Sequence, residues 1–287
     1  MSTDRYGVVG HPVAHSWSPF IHGMFARETG QAMSYRLFDI TPQEFEPRVR
    51  DFFTLGGRGL NVTVPHKSAA VKIANELTPR ATHAGAVNTL ALQKDGRILG
   101  DNTDGVGLVR DLCDNLGLVI IRRRILVLGA GGATRGIIAP LLALEPAQIV
   151  IANRTRERAE VLAENFARLG PVRGMAMVEL SEQFDIVING TSASLIGEVP
   201  AVPAAVIGPE TTCYDMAYGK ADTPFTSWAL DLGCARAFQG WGMLVEQAAE
   251  SFRVWRGIKP STASVLTAIR ERALAPPMSA AQAATSG

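Results

Sequence analysis

The first hundred residues alternate short apolar runs with longer mixed segments. Arg5–Gly10 reads as a strand ending in a turn at Gly10-His11-Pro12, and Met33–Asp39 reads as a second strand. Pro19–Gly30 between them reads as a helix. Thr41, with Pro42 and Glu44, predicts a capped helix ending near Leu55-Gly56-Gly57. Leu60–Val64 predicts a short strand, and Pro65 the start of a helix that carries Lys67. Ala86–Gln93 and Arg97–Asp101 read as strands joined by the turn Lys94-Asp95-Gly96. Such alternation predicts an α/β unit whose mostly parallel sheet is covered by helices.

A helix over Thr103–Leu116 leads to a second unit, from about Ile125 to about Gly240. Its predicted strands are Arg124–Leu128, Gln148–Ala152, a weak one near Met175–Val178, Ile186–Asn189, Thr212–Asp215 and Ala235–Phe238. The charged run Arg154–Arg158 starts a helix, most of it a solvated face. Gly242–Gly257 is a long amphipathic helix, and Pro260-Ser261 opens a last one ending near Ala273. The small, proline-containing end predicts a disordered tail over 276–287.

A length of 287 residues suits one large or two ordinary domains, and 47% hydrophobic against 19% charged residues supports a sizeable core. The net charge of +1 argues against a general nucleic-acid or anionic-membrane surface. No apolar run approaches the roughly 18 residues that cross a bilayer, and the N-terminus lacks a secretory apolar region. Cys113, Cys213 and Cys234 are odd in number and widely spaced. They form no metal pattern and fit reduced thiols in a cytoplasmic protein.

Chemistry enters with Ile125–Gly136, Ile-Leu-Val-Leu-Gly-Ala-Gly-Gly-Ala-Thr-Arg-Gly. A strand, a glycine turn and a helix let backbone N–H groups and a helix N-terminus face a pyrophosphate. Gly129 permits the tight turn and Gly131 a close approach of phosphate to backbone; Ala130, Gly132 and Ala133 complete the loop. Thr134 stands where a strict fingerprint has its third glycine. About 20 residues on, an NAD site carries a carboxylate for the ribose 2′-hydroxyl. Here stand Asn153, Arg154 and Thr155, with Arg158 one turn further. A carboxylate repels a 2′-phosphate, whereas a guanidinium holds it by charge-assisted bonds, so the segment favours NADP.

The first unit gathers polar residues at its predicted strand ends: Ser16 and Ser18, Asn61, Thr63 and Lys67, Asn88, and Asp104. Hydroxyl, amide and charged groups converging there suit a small polyhydroxylated anion. A lysine kept charged by a nearby carboxylate can protonate a carbonyl oxygen as hydride arrives at carbon, which makes Lys67 and Asp104 the interesting pair. On spacing alone the serines serve equally as turn residues, Lys67 as an exposed first-turn lysine and Asp104 as a helix cap. His15, His22, His66 and His83 read as satisfied structural histidines rather than bases.

Taken together these segments resemble shikimate dehydrogenase. The matching motifs are Gly10–Pro19, Asn61-Val-Thr-Val-Pro-His-Lys67, Gly85-Ala-Val-Asn-Thr89 and Gly100-Asp-Asn-Thr-Asp-Gly105. Further along they are Gly129–Gly136, Asn153-Arg-Thr155, Asp215-Met-Ala-Tyr218 with Thr223-Pro224, and Gly242-Met-Leu-Val-Glu-Gln247. The resemblance covers nearly the whole chain except the tail, with departures at His11, Gly23, His66, Gly190 and Ser194. It implies NADPH-dependent reduction of 3-dehydroshikimate to shikimate in aromatic amino-acid biosynthesis. It implies Lys67 and Asp104 as catalytic pair, Ser16, Ser18 and Tyr218 on the substrate carboxylate, and Asn61, Thr63, Asn88, Asp104 and Gln247 on ring hydroxyls. Thr191, Ser192, Met216, Gly240 and Met243 would lie on the cofactor side, and no metal is implied. The implied fold is an N-terminal mixed, mostly parallel α/β substrate domain plus a Rossmann-like NADP-binding domain, with C-terminal helices packing back on the first. The expected bounds are 1–105 with 241–275 for the substrate domain and 106–240 for the NADP domain. A homodimer is compatible with the sequence. The alternative is a quinate/shikimate paralogue using NAD or NADP on a related cyclic hydroxy acid. A methyltransferase is disfavoured because Asn153 is no ribose-binding acid, and a non-catalytic binding protein because Lys67 and Asp104 are both kept.

Overall fold

The computed structural model describes residues 3–274; the tail expected over 276–287 lies outside the described residues. The first sheet and its helices run β1 (Asp4–Gly10), α1 (Ser18–Glu28), β2 (Met33–Asp39), α2 (Phe45–Thr54), β3 (Gly57–Val62), β4 (Glu76–Leu77), α3 (Pro79–Ala84), β5 (Thr89–Leu92) and β6 (Ile98–Asp101). Its strand order is β2-β1-β3-β5-β6-β4. β1 runs parallel to β2 and β3, while β5 is antiparallel to both β3 and β6, so the sheet is mixed.

Two expected elements are corrected. α2 begins at Phe45, after a turn over 42–44. The Thr41 hydroxyl donates to the Glu44 carboxylate at 2.8 Å instead of accepting a backbone N–H, so it caps no helix. Pro65 starts no helix either. The Lys67 carbonyl, which a helix would use internally, accepts from the Val87 N–H at 2.8 Å, and only a single 3-10 turn follows at Ala69–Lys72. α3 is an element the sequence reading lacks, although its signal is present: Thr78 caps it, accepting from the Ala81 N–H at 3.3 Å, and Pro79 opens it.

The chain continues through α4 (Asp104–Arg110), which runs on as a π-helical turn over Asp111–Asn115. Then come β7 (Arg124–Leu128), α5 (Gly132–Leu142), β8 (Gln148–Asn153), α6 (Arg156–Phe166), β9 (Val172–Ala176), β10 (Ile186–Asn189), β11 (Thr212–Asp215), α7 (Pro224–Asp231) and β12 (Arg236–Gln239). This second sheet is wholly parallel, in the order β12-β11-β10-β7-β8-β9. It is covered on both faces, so Ile125–Leu128 is buried without alternation. The order reverses between β7 and β10, which opens a crevice beyond their C-terminal ends.

α8 (Trp241–Arg256) and α9 (Ala263–Leu274) bring the chain end back to its beginning. Val245, Phe252, Val265 and Ile269 share a core with Ile21 and Phe25 of α1. The halves meet through close backbone packing. A Cβ on Gly105 of α4 would lie 2.3 Å from the Gly136 carbonyl of α5, so only glycine permits this approach.

Candidate active site

Strand register assembles the polar edge. Asn61 pairs with Thr89, and Thr89 with Asp101, so β3, β5 and β6 bring Asn88 and the 101–104 loop beside the loop after β3. Asn88 precedes β5 rather than lying within a strand; it reaches the same edge because β5 runs antiparallel.

Lys67 and Asp104 meet there. Lys67 Nζ lies 2.5 Å from Asp104 Oδ2, with side chains 15% and 7% exposed, so the pair is screened from water on most sides. The Asn88 amide donates to the other Asp104 oxygen at 2.8 Å and to Thr103 Oγ1 at 2.9 Å. Gln247, on α8, accepts from Asn88 at 3.4 Å and donates to the Leu244 carbonyl. Asn61 is buried and fully engaged by protein. Its oxygen accepts from the Tyr35 hydroxyl at 2.7 Å and the His22 ring at 3.2 Å, and its nitrogen donates to Ser251 Oγ at 3.0 Å. Thr63 is half-buried just past β3, and its hydroxyl has no partner among the described residues. The loop before Asp104 is anchored from behind at Asp101. Arg80 grips Asp101 with two 2.6 Å bonds and reaches the buried Glu250 of α8 at 3.1 Å.

The Ser16 hydroxyl donates to Ser18 Oγ at 3.1 Å. Between them Trp17 meets Trp241 edge to face, centroids 5.5 Å apart, and Trp241 leans on Tyr218 at 4.5 Å. This aromatic chain ties Tyr218, which follows β11, to the serine turn. Burial pushes the Tyr218 hydroxyl up to about 12, so it stays a neutral donor. His22 and His66 are structural, as expected. Burial drives His22 down to about 3, and the His66 ring donates to the Ile40 carbonyl at 2.7 Å while stacking on Phe45.

The glycine loop fits a dinucleotide. Gly129 sits at φ +96°, and a Cβ on Gly131 would meet nothing within 4 Å, so this backbone faces open space. The N-terminus of α5 has neither a side-chain cap nor an acidic residue in its first turn, which leaves its N–H groups to an anion. Ala130, Arg135, Glu157, Arg158 and Val161 line a groove of about 360 Å³. Arg156 is committed to Glu160 and Glu179, whereas Arg135, Arg154 and Arg158 form no ion pair among the described residues. Asn153 Nδ2 donates to the Thr155 carbonyl at 2.9 Å and shapes that turn. A Cβ on Gly132 would lie 4.0 Å from Lys67 Cβ, so the loop abuts the polar edge.

Beyond β10, Thr191 bonds back to the Asn189 side chain at 2.7 Å, and Ser192 is exposed. Gly240 packs on the Met216 carbonyl, and Met243 is buried near it on α8. Two departures from the family pattern acquire a reason here. A Cβ on Gly190 would lie 2.7 Å from Thr134 Oγ1, so the missing side chain makes room for the threonine. Ser194 donates to the buried Asp215 at 2.6 Å. Sequence reasoning missed Trp17, Trp241, Ser251 and Arg135. Only Arg135 had a local signal, as a cation one turn into the helix after the glycine loop.

Three family models match the chain: the shikimate dehydrogenase substrate binding domain over 8–90, shikimate/quinate 5-dehydrogenase over 114–198, and the shikimate 5′-dehydrogenase C-terminal domain over 240–270. A protein of Alkalilimnicola ehrlichii named shikimate dehydrogenase (NADP(+)) is 54% identical over 268 residues, 93% of this chain and 99% of its own. Among solved structures, an Ael1 enzyme from Pseudomonas putida superposes with a TM-score of 0.87 at 42% identity, covering 96% of this chain and all of its own. The shikimate 5-dehydrogenase of Thermus thermophilus in complex with NADP(H) and shikimate gives 0.83 at 32%, covering 95% and 100%.

Proposed function

The chain belongs to the shikimate dehydrogenase family, and on that premise we propose that it reduces 3-dehydroshikimate to shikimate with NADPH, reversibly, with Lys67 and Asp104 as its catalytic pair. The carrying observation is the 2.5 Å ion pair at the polar edge, abutting a glycine loop with a free helix N-terminus. Ser16, Ser18 and Tyr218 hold the substrate carboxylate through neutral hydroxyls. Thr63, Asn88 and Gln247 take ring hydroxyls, and Asn61, whose own polar atoms are occupied, orients its neighbours as much as it binds. Fixing the ring in this way contributes up to roughly 7–11 kcal/mol of barrier lowering. Bound NADPH supplies the hydride. Lys67 Nζ gives its proton to the carbonyl oxygen as that oxygen gains charge, and Asp104 holds the ammonium in place. The Asn88 amide on the second Asp104 oxygen fixes the carboxylate in turn.

Gly129–Ala133 and the start of α5 would hold the cofactor's pyrophosphate, and Asn153, Arg154, Thr155 and Arg158 its 2′-phosphate. Thr191, Ser192, Met216, Gly240 and Met243 would line the reacting end. In this reading 1–105 with 241–275 forms the substrate domain and 106–240 the NADP domain, with the site between them. A biosynthetic role in the cytoplasm accords with three unpaired cysteines.

The deciding assay oxidises shikimate and quinate, each with NADP+ and NAD+. The expected result is the highest kcat/KM for shikimate with NADP+. Preference for quinate with NAD+ would replace this reading with the quinate paralogue.

A further inference from the structure

The face of the first sheet that α2 covers holds a cleft of about 430 Å³, within the size range of small-ligand pockets. It lies beside β2, the last strand of that sheet. Its floor is apolar. Phe38 and Phe52 meet edge to face with centroids 5.4 Å apart, and Leu60 adjoins them. The rings rest directly on backbone: a Cβ on Gly7 would lie 2.4 Å from Phe38, and one on Gly57 2.1 Å from Phe52.

Around this floor stand three guanidiniums, Arg5, Arg36 and Arg48. None forms an ion pair or side-chain hydrogen bond among the described residues, whereas neighbouring Arg50 and Arg58 pair with Glu46 and Asp4. Asp51 is the one carboxylate in the lining, so three positive charges face one negative.

Shape and charge together select the occupant. A neutral hydrocarbon leaves the arginines unanswered, and a polyol phosphate leaves the phenylalanine rings unmatched. We propose that this cleft binds a small aromatic carboxylate, its ring against Phe38 and Phe52 and its carboxylate on the rim arginines. The site is separate from the polar edge. Leu60 joins the core on the α2 face, whereas the next residue, Asn61, bonds to Ser251 of α8 on the opposite face. The ligand therefore binds alongside substrate and cofactor.

Titration calorimetry of the full chain with 2-naphthoate tests this. The expected result is one saturable site whose affinity is unchanged by saturating shikimate and NADP+. Arg36→Gln with Arg48→Gln lowers that affinity at least about tenfold, the loss of one charge-assisted bond. The uncharged 2-naphthamide binds at least about tenfold more weakly than the acid to the unaltered protein. Both arginines are exposed, so the variant keeps its fold and its dehydrogenase activity. Three results overturn the proposal: no saturable binding below about 10 mM, equal affinity for acid and amide, or binding that shikimate displaces and the arginine substitutions leave intact.

Discussion

Lys67 shows how much of a residue's role comes from its surroundings. In sequence it is one lysine after a proline and a histidine; in the fold its ammonium sits 2.5 Å from Asp104 with little access to water. A group that acts only as charge develops should be missed in turnover more than in binding. Lys67→Ala is expected to lower kcat by about 10²–10⁴ with a smaller change in KM; an unchanged kcat would remove Lys67 from the chemistry. The same logic applies to Arg154, proposed for the cofactor's 2′-phosphate. It is exposed and forms no ion pair among the described residues, beside a committed Arg156, so Arg154→Ala should weaken NADP+ by about 1.5–3 kcal/mol and NAD+ hardly at all. Titrations with both cofactors check this, and equal losses would contradict contact with the 2′-phosphate. Both residues stood out as candidates from the chain alone. Trp17 and Trp241 were not, because their value lies in meeting across 224 positions of sequence to carry Tyr218 toward the serine turn.

Elements constrain one another in ways that single residues do not reveal. The turn after β10 and the first turn of α5 share one small space, occupied by Thr134 and vacated at Gly190. Gly190→Ala overfills it and should destabilise the protein by about 1–3 kcal/mol in urea unfolding. Thr134→Ala removes the obstructing hydroxyl, so the double variant should recover most of that loss. Additive losses in the double-mutant cycle would show that the two sites are independent. The boundaries of β7, β10 and β11 were readable because these strands are buried on both faces and read as short apolar runs, whereas β9 starts at Val172, three residues before the strand expected near Met175–Val178, and Met177–Glu179 forms a 3-10 turn. The helix expected at Pro65 failed for a reason beyond local propensity: the Lys67 carbonyl is taken by Val87, a partner 20 residues away.

For the molecule as a whole, buried ionisable groups set the response to acid. Burial holds the His22 imidazole down at about 3 against the hydrogen bond from its ring to Asn61, and its Nδ1 has no hydrogen-bond partner among the described residues. The unfolded chain takes up a proton below about pH 6.5 that the native state refuses, so stability present above that pH is lost as pH falls toward 3. Burial alone would raise Glu250, but Arg253, Arg80 and Arg110 outweigh it and hold the carboxyl at about 2. Its contribution is present above about pH 4.5 and lost below. Unfolding free energies from urea titration should therefore fall from near-neutral pH downward, by up to about 1.4 kcal/mol per pH unit for each group inside its window. A stability flat from about pH 7 to about pH 5 would contradict the assignment for His22.

By itself, the sequence determined the class of fold, the two sheets, the glycine loop and the preference for a phosphorylated ribose. Each of these is written in a short continuous stretch whose period, turn residues and charges act locally. Only the tertiary structure decided that Asn61 is spent on Tyr35, His22 and Ser251, that Glu250 and Arg80 brace the loop before Asp104, and that α8 delivers Gln247 to Asn88. Those partners lie up to 190 positions apart. Hydrogen bonds and ion pairs depend on angstrom-scale proximity, which sheet register and helix packing create and local pattern does not encode.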